Sequence, residues 1–455
     1  MTLSTTVPHK AGTGWFLAPL FLGTFMSLLD VSIVNIALPT IQSDLTTSLA
    51  QLQWIVDGYI VALAAFMLTG GSLADRFGRK AVFLIGVAGF TVASLACALA
   101  DSADWLIAAR VVQGAAASVL TPGAMSLIAQ AFPEPARRAR IIGLWSSVAS
   151  SAFVLGPLIG GPLTEAFGWR SVFYLNVPLG MLTVVVGLRR LRESADPEHA
   201  SPDVVGQLLA IGWIGALTYG IIDGGHRGWT EPPVLAALGL AAVLFVAFIL
   251  IELRQQRPML PIRLFARPEF GLVNLAAFVM GFGTFGSFFL LSIYLQSVRG
   301  ATPTEAALQF LPYVLANTTA GLLAGRLVSR FGGRLPLVAG YTLITVALLG
   351  MLVLTPTTPY PVIAVLFVII GFGLSTGGVP TNTMALHAVP RHSSGMAAST
   401  VNATRQTGTA VGVAVLGAVV AAQPTFTDGL RHALLVAGVA TGVVTVLLAT
   451  RLRAK

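Results

Sequence analysis

Long apolar stretches alternate with short polar, mostly basic links along almost the whole chain. Fourteen stretches approach the roughly 20 residues that a helix needs to cross a bilayer. They lie near 14–38, 50–71, 81–100, 105–130, 141–164, 171–188, 205–223, 233–252, 270–295, 304–325, 335–355, 360–386, 396–421 and 429–450. Hydrocarbon offers the backbone no outside hydrogen bonds, so each stretch is expected to be a helix. The first run is too long for a cleavable leader, lacks a convincing small-residue cleavage site and contains Asp30.

Composition agrees with that pattern. Of 455 residues, 55% are hydrophobic and only 10% are charged, against about 25% charged in soluble domains. Mean hydropathy is +0.83. A large soluble enzyme, a disordered chain and a disulfide scaffold are excluded. The single cysteine, Cys97, has no partner for an internal bridge. Abundant arginine and alanine, with little lysine, point to a GC-rich bacterial source. Net charge is +9, which in a membrane protein reflects basic cytoplasmic loops and not a nucleic-acid partner.

The basic residues also set the orientation. With a cytoplasmic N-terminus, only Arg170, Arg227, Arg299 and Arg431 fall outside, and Arg110 and Arg405 fall within helices. All other lysines and arginines fall inside, which requires an even helix count and both termini in the cytoplasm. An internal repeat sits on this map. The loop Gly71-Ser-Leu-Ala-Asp-Arg-Phe-Gly-Arg-Lys80 is echoed in register by Gly325-Arg-Leu-Val-Ser-Arg-Phe-Gly-Gly-Arg334. The expected fold is therefore all-α and integral to the membrane, with fourteen transmembrane helices. Two pseudo-symmetric six-helix bundles (residues 1–192 and 261–455) flank two inserted helices (193–260). Parallel repeats of this kind are typical of secondary transporters.

Four motifs resemble the major facilitator superfamily and, within it, the fourteen-helix drug:proton antiporters. Leu29-Asp-Val-Ser-Ile-Val-Asn-Ile-Ala-Leu-Pro39 is similar to that branch's helix 1 signature, and the 71–80 loop to the superfamily's loop motif. Arg110-Val-Val-Gln-Gly114 resembles the helix 4 motif, and Gly156-Pro-Leu-Ile-Gly-Gly-Pro162 the antiporter motif of helix 5. The stretch from Trp169 through Asn176-Val-Pro178 also fits. The resemblance implies a major facilitator fold and alternating access. The motifs are silent on substrate.

In the loop motif, Gly71, Asp75, Arg76, Gly78 and Arg79 read as a charge lock that favours one access state, or as a plain basic turn. Ser329 replaces Asp75 in the second copy. Gly156 and Gly160, beside Gly161, form a small-xxx-small pair that permits close helix approach, and Pro157 and Pro162 weaken the helix there; the resemblance adds that this face meets the other half and bends. Charged residues inside a bilayer cost about 2.5–3.5 kcal/mol on insertion scales, so they are functional by default. Four qualify: Asp30, Asp57, Arg110 and Arg405. At about 1.5 Å rise per residue, Asp30, Arg110 and Asp57 lie roughly 12, 8 and 10 Å deep, in one layer. Asp30 is read as the proton carrier, Arg110 as its tuner and Asp57 as an accessory carboxylate for cations; the competing reading is a static ion pair anchoring helix 1. Asn35, Gln113 and Asn317 are candidates for a cavity lining, or else interhelical glue. Phe285 and Phe289 are candidates for stacking on substrate, or else lipid-facing and core residues. Arg405 is either accessory to substrate binding or structural.

No phosphate-binding loop of the form G-x-x-x-x-G-K-[ST] occurs, which disfavours a primary pump. The leading reading is a proton-coupled exporter of amphipathic, cationic or antibiotic-like small molecules. It is a monomer in the bacterial cytoplasmic membrane, is not an enzyme, and needs no cofactor beyond the proton gradient. The alternative is a proton-coupled uptake symporter for a small metabolite. Single cysteines near Arg227 and Arg299 should react with an impermeant reagent from outside the cell, and those near Arg137 and Arg330 should not. The opposite pattern would invert the map.

Overall fold

A computed structural model describes residues 10–195, 203–255, 258–260, 262–389 and 394–452. Among these residues the chain is helical throughout its regular structure, with no strand. The segments are α1 (Lys10–Leu45), α2 (Leu49–Phe77), α3 (Arg79–Ala98), α4 (Ala103–Ala131) and α5 (Pro135–Phe167). Next come α6 (Arg170–Arg190), α7 (Val204–Arg227), α8 (Pro232–Arg254) and α9 (Pro268–Val298). The last are α10 (303–331), α11 (Arg334–Val353), α12 (Tyr360–His387), α13 (Ser394–Ala421) and α14 (Phe426–Arg451). A helix stands at each apolar stretch of the sequence. Among the described residues, eleven segments are long and apolar enough to cross a membrane.

Several segments are interrupted, and proline explains three of the breaks. It removes one backbone donor and crowds the carbonyl four residues earlier. Thus α4 breaks at Ser118 and Val119 ahead of Pro122, and α6 at Leu175 ahead of Pro178. In α10 the break at Phe310 precedes Pro312. The long α9 instead winds through two π turns, Met280–Phe285 and Tyr294–Val298. Such turns concentrate at functional sites.

One bundle forms where α1 packs on α5 and α6, α2 on α4, and α3 on α4 and α6. A second forms where α9 packs on α13, α12 on α10 and α11, and α14 on α11 and α13. Each uses a glycine to bring two backbones together. A Cβ on Gly114 would lie 2.1 Å from the Tyr59 carbonyl oxygen, and one on Gly408 would lie 2.1 Å from that of Phe278. Only a hydrogen fits there. The bundles meet where α2 packs on α13, α5 on α10 and α1 on α9. Helix α7 rests across α2 and α13, and α8 packs mainly on α7. Outward faces are apolar, as at Val243, Leu322 and Val446, which suits a hydrocarbon surrounding.

Candidate functional site

The first bundle encloses a charged cluster. Asp30 on α1 forms an ion pair with Arg110 on α4; they are 0% and 2% exposed. The other Asp30 oxygen accepts from Gln113 Nε2 and Asn176 Nδ2, both at 3.0 Å. Arg110 Nη1 also donates to Gln113 Oε1 at 2.7 Å, and Arg110 Nε to the Ile55 carbonyl at 3.1 Å. The guanidinium sits 4.2 Å from the centre of the Tyr59 ring, an attraction that strengthens away from water. Asn176 is itself oriented by Ser94, whose hydroxyl donates to the Phe173 carbonyl. Charges in a medium of low polarity persist only when paired and hydrogen-bonded, and this pair draws on α1, α2, α3, α4 and α6. Asp30 and Arg110 thus meet as their depth implies, and Gln113 joins them as a bond between helices. They stand inside the bundle and not on the wall of the central cavity.

That cavity lies between the bundles and is lined mostly by apolar and aromatic side chains. Its wall draws on α1, α2, α5, α9, α10 and α13. Asn35, Pro157, Phe285, Phe289 and Arg405 line it, as expected of a substrate site. Phe288, an α9 aromatic that reads in sequence as Phe285 and Phe289 do, also lines it, as do Phe310, Tyr313 and Gln406, which carried no sequence signal of their own. The Phe288 ring packs at a tilt against that of Tyr313, 4.5 Å centre to centre. The cavity departs from the expected carboxylate-bearing cation site, because Arg405 is the one charged residue among those described in its lining. Asp57 is fully buried on α2 outside that lining, and neither of its oxygens has a hydrogen-bond partner among the described residues. Asn317 is also no lining residue. Its side chain accepts from Ser375 Oγ at 2.6 Å, which ties α10 to α12.

Among the described residues, hydrogen bonds between the bundles gather at one end of the cavity. Gln53 Nε2 donates to the Val413 and Ala414 carbonyls at 2.9 and 3.1 Å. Ser292 Oγ donates to the Asn35 carbonyl at 2.6 Å, and Gln296 Nε2 to that of Ile36 at 3.0 Å. The Thr304 amide donates to Glu165 Oε2 at 3.1 Å. Gly161 serves the same closure, since a Cβ there would lie 2.7 Å from the Pro303 carbonyl oxygen. Gly156 and Gly160 instead fit α5 against Ser32 and Ile33 of α1, within the first bundle.

The loop motif lies at the opposite end. Gly71 and the Asp75 side chain lie outside what the structure describes. Arg76 is exposed and lies over the Phe77 ring. Gly78 has φ +103°, and a Cβ there would strike the Glu193 carboxylate at 2.8 Å. That carboxylate accepts from the Lys80 and Ala81 amides at 3.1 and 3.0 Å, and the Arg79 amide bonds the Ser194 carbonyl. An acid at a helix N-terminus meets free amides and a favourable dipole. Glu193, which the motif does not contain, therefore anchors the start of α3 to the segment after α6.

The profile of the Major Facilitator Superfamily matches residues 20–413, and the chain belongs to that family of membrane transporters. It is a multi-pass membrane protein and not an enzyme. The chain is 40% identical over 422 residues to the methylenomycin A resistance protein of Streptomyces coelicolor, covering 92% of this chain and 88% of that one. It is 36% identical over 402 residues to the tetracenomycin C resistance and export protein of Streptomyces glaucescens, covering 88% and 74%. Its fold matches the inward-facing, unoccupied crystal structure of a bacterial homolog of the human lysosomal transporter Spinster. The TM-score is 0.68 at 19% identity, covering 97% of each chain.

Removing one member of a buried pair strands the other's charge, at about 3–5 kcal/mol. Arg110→Met should therefore sharply lower the thermal unfolding midpoint of the purified protein, and adding Asp30→Leu should restore much of it. Equal losses in the single and double variants would show that the pair is not what holds α1 to α4.

Proposed function

We propose that this chain is a proton-coupled exporter of amphipathic, antibiotic-like small molecules, operating by alternating access in a bacterial cytoplasmic membrane. The carrying observation is the aromatic cavity between two bundles whose mutual hydrogen bonds, among the described residues, gather at one end of it. A largely apolar, aromatic lining with a few polar groups suits an amphipathic small molecule, and rocking about it would expose it to each side in turn. Relatives named for resistance and export support the outward direction. In this reading the chain crosses fourteen times with both termini inside, as bundles 1–192 and 261–455 around the inserted pair 193–260. It acts as a monomer, and the bonded end is extracellular.

The same reading assigns the coupling proton to Asp30. When Asp30 takes a proton, the ion pair loses its attraction, and Arg110, Gln113 and Asn176 must rearrange. That links protonation to the packing of α1 against α4 and α6. Asp57, with both oxygens free of described partners, is a second place for a proton. The loop around Gly78 and the α5 face at Gly161 are the moving contacts.

The test is transport of a fluorescent lipophilic dye in liposomes with an imposed pH gradient. The wild type should move the dye uphill. Asp30→Asn should abolish uphill movement yet allow downhill exchange, since the cavity is untouched. Full gradient-driven transport by Asp30→Asn would remove Asp30 from the proton path, and the absence of any gradient effect in the wild type would remove coupling.

A further inference from the structure

The polar groups of the cavity are lopsided. Arg405 on α13 is its one charged lining residue among those described. No carboxylate pairs with it among the described residues. Its Nη2 donates to Asn402 Oδ1 at 3.0 Å, and its guanidinium lies 5.6 Å from the centre of the Phe285 ring. A guanidinium carries five N–H donors in a rigid fork, so most remain for something that enters the cavity. An unpaired cation beside apolar walls is costly, and an arriving oxyanion relieves that cost through charge-assisted, often bidentate, bonds. A cation would meet like-charge repulsion with no carboxylate to offset it.

The rest of the wall narrows the choice. Phe285, Phe288, Phe289 and Tyr313 give broad apolar faces on the α9 and α10 sides. Across from them on α1, Asn35 donates to the Val31 carbonyl and leaves its buried Oδ1 without a described partner. That oxygen can accept from a hydroxyl or N–H on the bound molecule. We propose that the transported compound is an amphipathic organic anion, a carboxylic or comparable acid on a compact apolar body, whose acid group is received by Arg405. This rests on the export reading and names the class of compound exported.

The probes are fluorescein, an aromatic anion, and rhodamine 123, a cation on the same ring skeleton. Anisotropy on the purified full chain reads binding, and release from loaded liposomes reads transport. Wild type should bind fluorescein saturably and rhodamine 123 weakly. Arg405→Gln should weaken fluorescein binding about tenfold or more, and Arg405→Lys should keep part of it. In the wild type, 1-naphthoate should displace fluorescein and its neutral amide should not, a comparison that needs no variant to fold. Equal binding by wild type and Arg405→Gln, displacement by acid and amide alike, or a preference for rhodamine 123 would each overturn the anion assignment. Export of rhodamine 123 with no Arg405-dependent fluorescein binding would overturn it and leave export standing. Arg405-dependent fluorescein binding without transport would do the reverse.

Discussion

Hydrocarbon cannot hydrogen-bond, and almost every feature of this molecule follows from that. The backbone must satisfy itself, so the described regular structure is helical. Side chains with charge must find partners inside the protein. Asp30 does so through Arg110, Gln113 and Asn176, and in doing so gathers helices that are far apart in sequence. The pair is thus a structural clasp, and in the proposed reading the same bonds would tie the packing of α1 to the protonation of one carboxylate.

With no hydrophobic force between helices in lipid, close packing carries the association. Gly114 and Gly408 bring backbones into contact in each bundle, and Gly161 does so between them. The bundles are internally dense, and the bonds that join them among the described residues cluster at one end. Rigid halves with a local seam can rock, and a cavity at the seam is where a substrate would ride. Helix α7 adds to the seam by bonding α2 through Gln207 and His226, without contributing to the described cavity lining.

Much of this was legible in the chain. Apolar length alone located the long helical segments, though not the short helix Ile262–Phe265, because lipid demands the same helix whatever the tertiary contacts. Depth placed Asp30 and Arg110 in one layer, and the structure pairs them. Their supporting partners were not legible as a set, since Ser94, Tyr59 and Asn176 lie on other helices with nothing in their spacing to join them. Asn317 read equally as a cavity residue or as a bond between helices, and it bonds Ser375, because the direction of a helix face depends on packing. The π turn carrying Phe285 and the Glu193 cap on α3 also depend on contacts distant in sequence. Proline marked the breaks in α4, α6 and α10 but not the winding of α9.

Alternation between two access states is the central claim, and paired distances test it most directly. In a Cys97→Ala background, spin labels on the exposed Phe167 and Leu308 report the bonded end, and labels on Phe77 and Phe331 report the other. Changing pH across the neutral range, with and without fluorescein, should lengthen the first distance while shortening the second. Two distances that stay fixed under all conditions, or that lengthen together, would contradict rocking of rigid halves about the cavity.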